Sequence, residues 1–171
     1  MFTRELRTPV PTGPRPRRAR KARQVHPSSA ARVRARHLGE RARFVVGSAL
    51  DLPFDDGTFD AELSVASLKH WPERARGLRE CARVLRPGGR LAVLEVDRGC
   101  TDEAARAFVD TWRIPAFLRP AARLMFRVSV AGPSLDLEEA RVLARGLALA
   151  THEVRRVPGT PALLLRGQRA R

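Results

Sequence analysis

The sequence predicts an α/β fold, a parallel sheet with a crossover helix that closes on an antiparallel C-terminal hairpin. Three observations carry that expectation. Phe59, Ala61, Leu63 and Val65 alternate with Asp60, Glu62 and Ser64 at the two-residue period of a strand. Ala75, Leu78, Cys81, Ala82 and Leu85 then share one helical face, opened by Pro72 and stopped by Pro87-Gly88-Gly89. Leu91–Val96 follows as an apolar strand of the kind covered on both faces. Strand, helix and strand in that order pair in parallel through a crossover.

The remaining elements follow from local chemistry. Residues 1–24 show no apolar periodicity. Pro9, Pro11, Pro14 and Pro16 precede a run of arginines ending at Arg23, so neither a core helix nor a central strand forms there. This stretch is expected to be a disordered basic arm. Ser28 or Ser29 caps a helix to about Leu38, which Gly39 stops. A short strand is expected over Arg43–Val46. Residues 102–127 read as mostly helical and Leu137–Ala150 as a further helix. Val154–Val157 and Ala162–Leu165 form the hairpin around Pro158-Gly159.

The chain has 171 residues and a formal charge of +15, enough for one domain with a real core. The charge is lopsided: residues 1–43 hold 13 Lys and Arg against Glu5 and Glu40. Only Lys21 and Lys69 are lysines, a bias that reflects coding composition better than selection for phosphate contacts. Aromatics do not interleave with the basic arm, which argues against stacking on nucleic acid. No apolar run reaches the length of a membrane span. Cys81 and Cys100 are too few for a disulfide scaffold and lack metal-ligand spacing, so reduced thiols, a cytoplasmic location and no metal are expected.

The chemistry lies in three segments in fixed order. They are Val46-Gly47-Ser48-Ala49-Leu50-Asp51-Leu52-Pro53-Phe54, Asp56-Gly57-Thr58-Phe59-Asp60, and Arg83-Val84-Leu85-Arg86-Pro87-Gly88-Gly89-Arg90-Leu91. Together they resemble the class I S-adenosylmethionine-dependent methyltransferases of the small-molecule type, the group that includes ubiquinone and menaquinone methylases. The resemblance covers Val25 to Gly167 and implies a Rossmann-like methyltransferase sheet. The domain reading is an arm over 1–24 and a partial methyltransferase domain over 25–171.

Ligands of open α/β sheets sit beyond the carboxyl ends of the strands. The resemblance therefore implies S-adenosylmethionine contacts at Ser48, Ala49 and Leu50, with the Ala49 amide on the adenine and Leu50 against its face. Ser48 stands where the family often has an acid. Ser64, Val65 and Ala66 end the next strand, where the family presents backbone and small side chains to the methionine part. His70, in Leu68-Lys69-His70-Trp71, is a candidate base set against a packing or capping role.

Two departures qualify the resemblance. No two glycines in the chain stand two positions apart, so the family's G-x-G turn after its first strand is absent, and His26 occupies the place of its ribose-binding acid. The expected sheet thus lacks the first strand and the Gly-rich turn, which leaves an open edge that invites self-association. Glu62 is the second departure, because a carboxylate inside a covered strand is costly to bury. Methyl transfer to a small-molecule acceptor, an apolar one being compatible with Phe108, Trp112, Ile114, Phe117, Leu118, Leu124, Met125 and Phe126, is the implied function. Impaired activity is expected from the departures. A non-enzymatic interaction domain is the alternative, with a nucleic-acid binder behind it.

Overall fold

The structure, a computed structural model, describes residues 45–171. The arm over 1–24, the helix over 28–38, and the positions His26, Arg43 and Phe44 lie outside the described residues. Val45 and Val46, the described end of the expected strand over 43–46, form no strand.

Four strands form one sheet, β1 (Phe59–Val65), β2 (Leu85–Val96), β3 (Leu149–Val157) and β4 (Ala162–Arg169), in the order β1-β2-β4-β3. β1 and β2 are parallel, joined through helix α1 (Arg74–Val84), while β4 runs antiparallel to both of its neighbours. The predicted order of a parallel pair followed by a closing hairpin is therefore found. Among the described residues β1 is an edge strand.

α1 buries Gly77, Leu78, Cys81, Ala82 and Val84 against the sheet. Gly77 is required there. A Cβ at this position would stand 2.3 Å from Trp71 Cε3, so the indole lies directly on the helix backbone. The helix ends at Val84, three residues before the proline expected to stop it. Leu85 already pairs with Phe59, and Pro87-Gly88-Gly89 makes an excursion within β2 before Arg90 rejoins opposite Ala61. Gly88 takes φ 76°, which a side chain disfavours. Gln168 Nε2 and Arg169 of β4 bond the carbonyls of Gly88 and Leu85, fixing the excursion from the far side.

That irregularity changes which residues of β1 are inside. Phe59, before the shift, is buried; after it the buried residues are Glu62 and Ser64, while Leu63 and Val65 are 45% and 54% exposed. The apolar phase of the alternation thus points away from the main core. Ala92, Leu94 and Val96 are likewise only half-buried, so among the described residues β2 is covered on one face rather than two.

The core joins Leu91, Val93, Leu163 and Leu165 of the sheet to Leu78 and Cys81 of α1 and to Ala140 and Ala144 of the last helix, α4 (Leu137–Arg145). α4 starts on a capping box, Asp136 accepting from the Glu139 amide at 2.9 Å and Glu139 from the Asp136 amide at 3.1 Å. It ends at Arg145 before Gly146, and Leu149 and Ala150 belong to β3 instead. Between β2 and α4 the helical stretch breaks into α2 (Asp102–Asp110), capped by Thr101, then α3 (Arg119–Met125) and a π-helical turn, Phe126–Ala131. Pro115 and Pro120 interrupt the continuous helix. These pieces close a second, smaller core around Val109, Phe126 and Ala131.

Candidate functional site

The two segments expected to bind a ligand are anchored on different supports. Ser48–Asp51 forms a tight turn in which the Asp51 amide donates to the Ser48 carbonyl and the Leu50 amide to the Ser48 hydroxyl, both at 3.1 Å. The Ala49 amide, one residue ahead of these donors, is not used in the turn. Leu50 is half-buried.

Behind the turn stands an arginine that opens the third sequence motif but is given no role there. Arg83 of α1 donates to the carbonyls of Leu52 at 3.0 Å and Phe54 at 2.9 Å, and to Asp56 Oδ1 at 2.7 Å. Glu80, one turn earlier, accepts the Leu52 amide at 2.9 Å and holds Arg83 at two points. Burial alone would raise the Glu80 carboxyl, yet Arg83 and the Leu52 amide outweigh it and hold the group below the ordinary value. The Leu-Pro-Phe and Arg-Val-Leu-Arg segments are thus two halves of one clamp.

The second segment lies where β1 and β2 end side by side. Ala66 sits in the left-handed region, φ 49°, a conformation held by its amide on the Leu94 carbonyl at 2.8 Å. Val65 and Ala66 are exposed, but Ser64 is fully buried and its hydroxyl meets that of Ser67 at 2.5 Å. Glu95, a β2 residue only 3% exposed, accepts the Ser67 amide at 2.5 Å and the Leu68 amide at 2.7 Å on one oxygen. Two charge-assisted bonds to one buried carboxylate fix the start of the 3-10 turn Leu68–His70. The signal for Glu95 was present in the sequence as an acid inside an apolar strand. His70 closes the 3-10 turn, exposed, with its amide on the Ser67 carbonyl at 3.0 Å.

Two further carboxylates mark the sheet. Asp97, 1% exposed at the end of β2, takes the Gly99 amide at 2.8 Å and Arg156 Nε at 2.6 Å, tying β2 to β3. Glu62 is 2% exposed and neither of its oxygens has a hydrogen bond of ordinary geometry. Burial pushes its carboxyl up to about 7, tempered by the adjacent Cys81 thiol, which is itself pushed up by burial and by the Glu62 charge. Cys81 and Cys100 are free, buried thiols, and among the described residues no cluster of His, Cys, Asp or Glu suits a metal ion. No helix of the described residues is long and apolar enough to cross a membrane.

Known proteins match this chain in sequence and in fold. Residues 13–93 match the methyltransferase domain family Methyltransf_11, a match that begins ahead of Val25. The methyltransferase GfsG of Streptomyces halstedii is 45% identical over 80 residues, 46% of this chain and 29% of that protein. The 2-phytyl-1,4-beta-naphthoquinone methyltransferase of Arabidopsis thaliana is 32% identical over 90 residues, 53% of this chain and 34% of that one. A demethylmenaquinone methyltransferase of Corynebacterium kroppenstedtii is 53% identical over 51 residues, 30% of this chain and 22% of the relative. The chain spans about a third of the length of the first curated relatives it matches. In fold it is similar to an S-adenosylmethionine-dependent methyltransferase of Thermotoga maritima, with TM-score 0.53 and 23% identity over 79% of this chain and 68% of that one. An O-methyltransferase family protein of Burkholderia thailandensis gives TM-score 0.54 and 23% identity over 82% of this chain and 40% of that one. Its ordered motifs, its matched residues and its sheet support the likeness of this chain to the class I S-adenosylmethionine-dependent methyltransferases.

Proposed function

We propose that this chain takes part in methyl transfer from S-adenosylmethionine to a small-molecule acceptor, and that it holds the cofactor weakly. The observation that carries the reading is the end of the parallel β1–β2 pair, where Glu95 fixes the Ser67 and Leu68 amides beneath an exposed Val65–Ala66. Those small, outward residues fit the methionine part, and Ser64 takes part through its backbone because its hydroxyl is spent on Ser67. The uncommitted Ala49 amide fits an adenine ring nitrogen, with Leu50 against the ring. Ser48 is a neutral acceptor already engaged by Leu50, which weakens its hold on the adenine amino group. The absence of any G-x-G spacing in the sequence removes further contacts.

S-adenosylmethionine, when bound, supplies a methyl group on a positively charged sulfur. The chain orients the acceptor in line with that methyl. His70 is the candidate base where the acceptor must lose a proton. Two relatives from Arabidopsis thaliana, a 2-phytyl-1,4-beta-naphthoquinone methyltransferase and a tocopherol O-methyltransferase, support an apolar acceptor bearing a ring. We place the chain in the cytoplasm on its two free thiols.

The test is mass-spectrometric detection of S-adenosylhomocysteine after incubation with S-adenosylmethionine and a hydrophobic quinol. The expected result is slow formation above a protein-free blank. Cofactor binding without product would favour the interaction-domain reading, and neither binding nor product would remove both roles for the site.

A further inference from the structure

A cleft of about 410 Å³ opens between the start of α1 and the outer side of α4, within the ~300–1,000 Å³ of small-molecule sites. Its apolar wall is made by Leu135, Val142 and Leu143, and Arg74, the first residue of α1, stands beside them. Leu135 is buried and Leu143 half-buried, while Val142 is 55% exposed. No residue of Ser48–Leu50 or Ser64–Ala66 lines this cleft, so it is distinct from the site described above.

Charge selects the ligand. Three carboxylates border the cleft, and each is matched by arginine. Asp136 and Glu139 converge on Arg98 at 2.6 Å and 3.0 Å and are committed to the capping box as well. Glu138 pairs with Arg141 at 3.5 Å and with Arg145 at 3.2 Å. Arg74 has no such match. Half-buried, it donates Nη2 to the Pro133 carbonyl at 2.6 Å and joins no ion pair among the described residues. One positive charge with unspent N–H donors is therefore left beside an apolar wall. A cation would meet carboxylates already occupied and a guanidinium of its own sign. A neutral apolar molecule would cover Arg74 without pairing it, at a cost in desolvation. A phosphate dianion would set a second negative charge among the three carboxylates. We propose that the cleft binds a small apolar monocarboxylate, with its carboxylate on Arg74 and its hydrocarbon against Leu135, Val142 and Leu143. The inference stands on this cleft alone and is separate from the methyl-transfer reading.

Amide chemical shifts of the 15N-labelled full chain, titrated with octanoate, octanol or octyl phosphate to about 3 mM, test it. Octanoate should shift Leu135, Val142 and Leu143 with a dissociation constant below about 1 mM, and octanol should bind at least about threefold more weakly. Arg74→Gln should lower the affinity for octanoate by roughly tenfold and leave that for octanol unchanged. Val142→Asp, at an exposed position, should weaken both with an unchanged circular dichroism spectrum. Octanoate shifts centred outside the cleft would assign the attraction to other arginines of the chain and overturn the proposal, as would no shift at all. So would octanol binding as tightly as octanoate, or octyl phosphate binding more tightly. Equal loss of octanoate and octanol in Arg74→Gln would make Arg74 a strut of the cleft and overturn it equally.

Discussion

Arg83 and Glu80 grip each other at two points on successive turns of α1, Nε to Oε1 at 2.9 Å and Nη2 to Oε2 at 2.8 Å. Each then reaches out to the same backbone, Arg83 to the Leu52 carbonyl and Glu80 to the Leu52 amide. The pair is three-quarters buried or more, so its bonds count for more than those of a surface ion pair. It locks the loop carrying Ser48–Leu50 to the helix that follows β1.

Arg83→Ala is therefore expected to cost about 2–4 kcal/mol, since it strands two carbonyls and the Glu80 carboxylate at once. Arg83→Lys should recover only part of this, because a single ammonium cannot reproduce the fork. Urea denaturation at pH 7 measures both. A loss below about 0.5 kcal/mol for the alanine variant would show that the clamp is ornamental.

Glu62 sets a pH dependence of definite sign. Its carboxyl is raised from 4.5 to about 7 in the fold, so between those values the native state holds the proton and the unfolded chain does not. Stability is full below about 4.5, declines as pH rises toward 7 and is level above it. The linkage is of order 3 kcal/mol across the window. Glu62→Val should abolish this decline and leave the protein more stable at pH 8 than the parent. Melting temperatures across pH 4.5–8 decide the matter, and a parent that gains stability through this window would contradict the assignment once other carboxylates are allowed for by the variant.

Glu95→Ala removes the shared acceptor of the Ser67 and Leu68 amides. Hydrogen exchange at those two amides should accelerate by at least tenfold, a factor worth about 1.4 kcal/mol, while Leu91 and Val93 remain protected. Equal acceleration throughout β2 would mean that Glu95 supports the strand and not the loop.

Legibility differed by the kind of signal. The strand β1, the helix α1 and the closing hairpin were readable because period and turn residues act locally. Their ends were less so. α1 stops at Val84 because Leu85 is drawn into pairing with Phe59, a long-range choice that Pro87 does not announce. The inward phase of β1 was hidden for the same reason, since a register shift opposite Pro87-Gly88-Gly89 puts Glu62 and Ser64 inside. Of the candidate site, the positions of Ser48–Leu50 and Ser64–Ala66 at loops were legible from motif order. The groups that hold those loops showed only as a motif arginine, Arg83, and as an acid inside an apolar strand, Glu95; their targets were hidden because each acts on backbone 27–31 residues away.

Titration of the 15N-labelled chain with S-adenosylmethionine into the millimolar range, followed by amide chemical shifts, tests the central claim most directly. The account predicts fast-exchange shifts concentrated at Ala49, Leu50, Val65 and Ala66, with a dissociation constant near or above about 1 mM. Tight binding at micromolar cofactor, shifts centred elsewhere, or no shift at all at saturating concentration would contradict it.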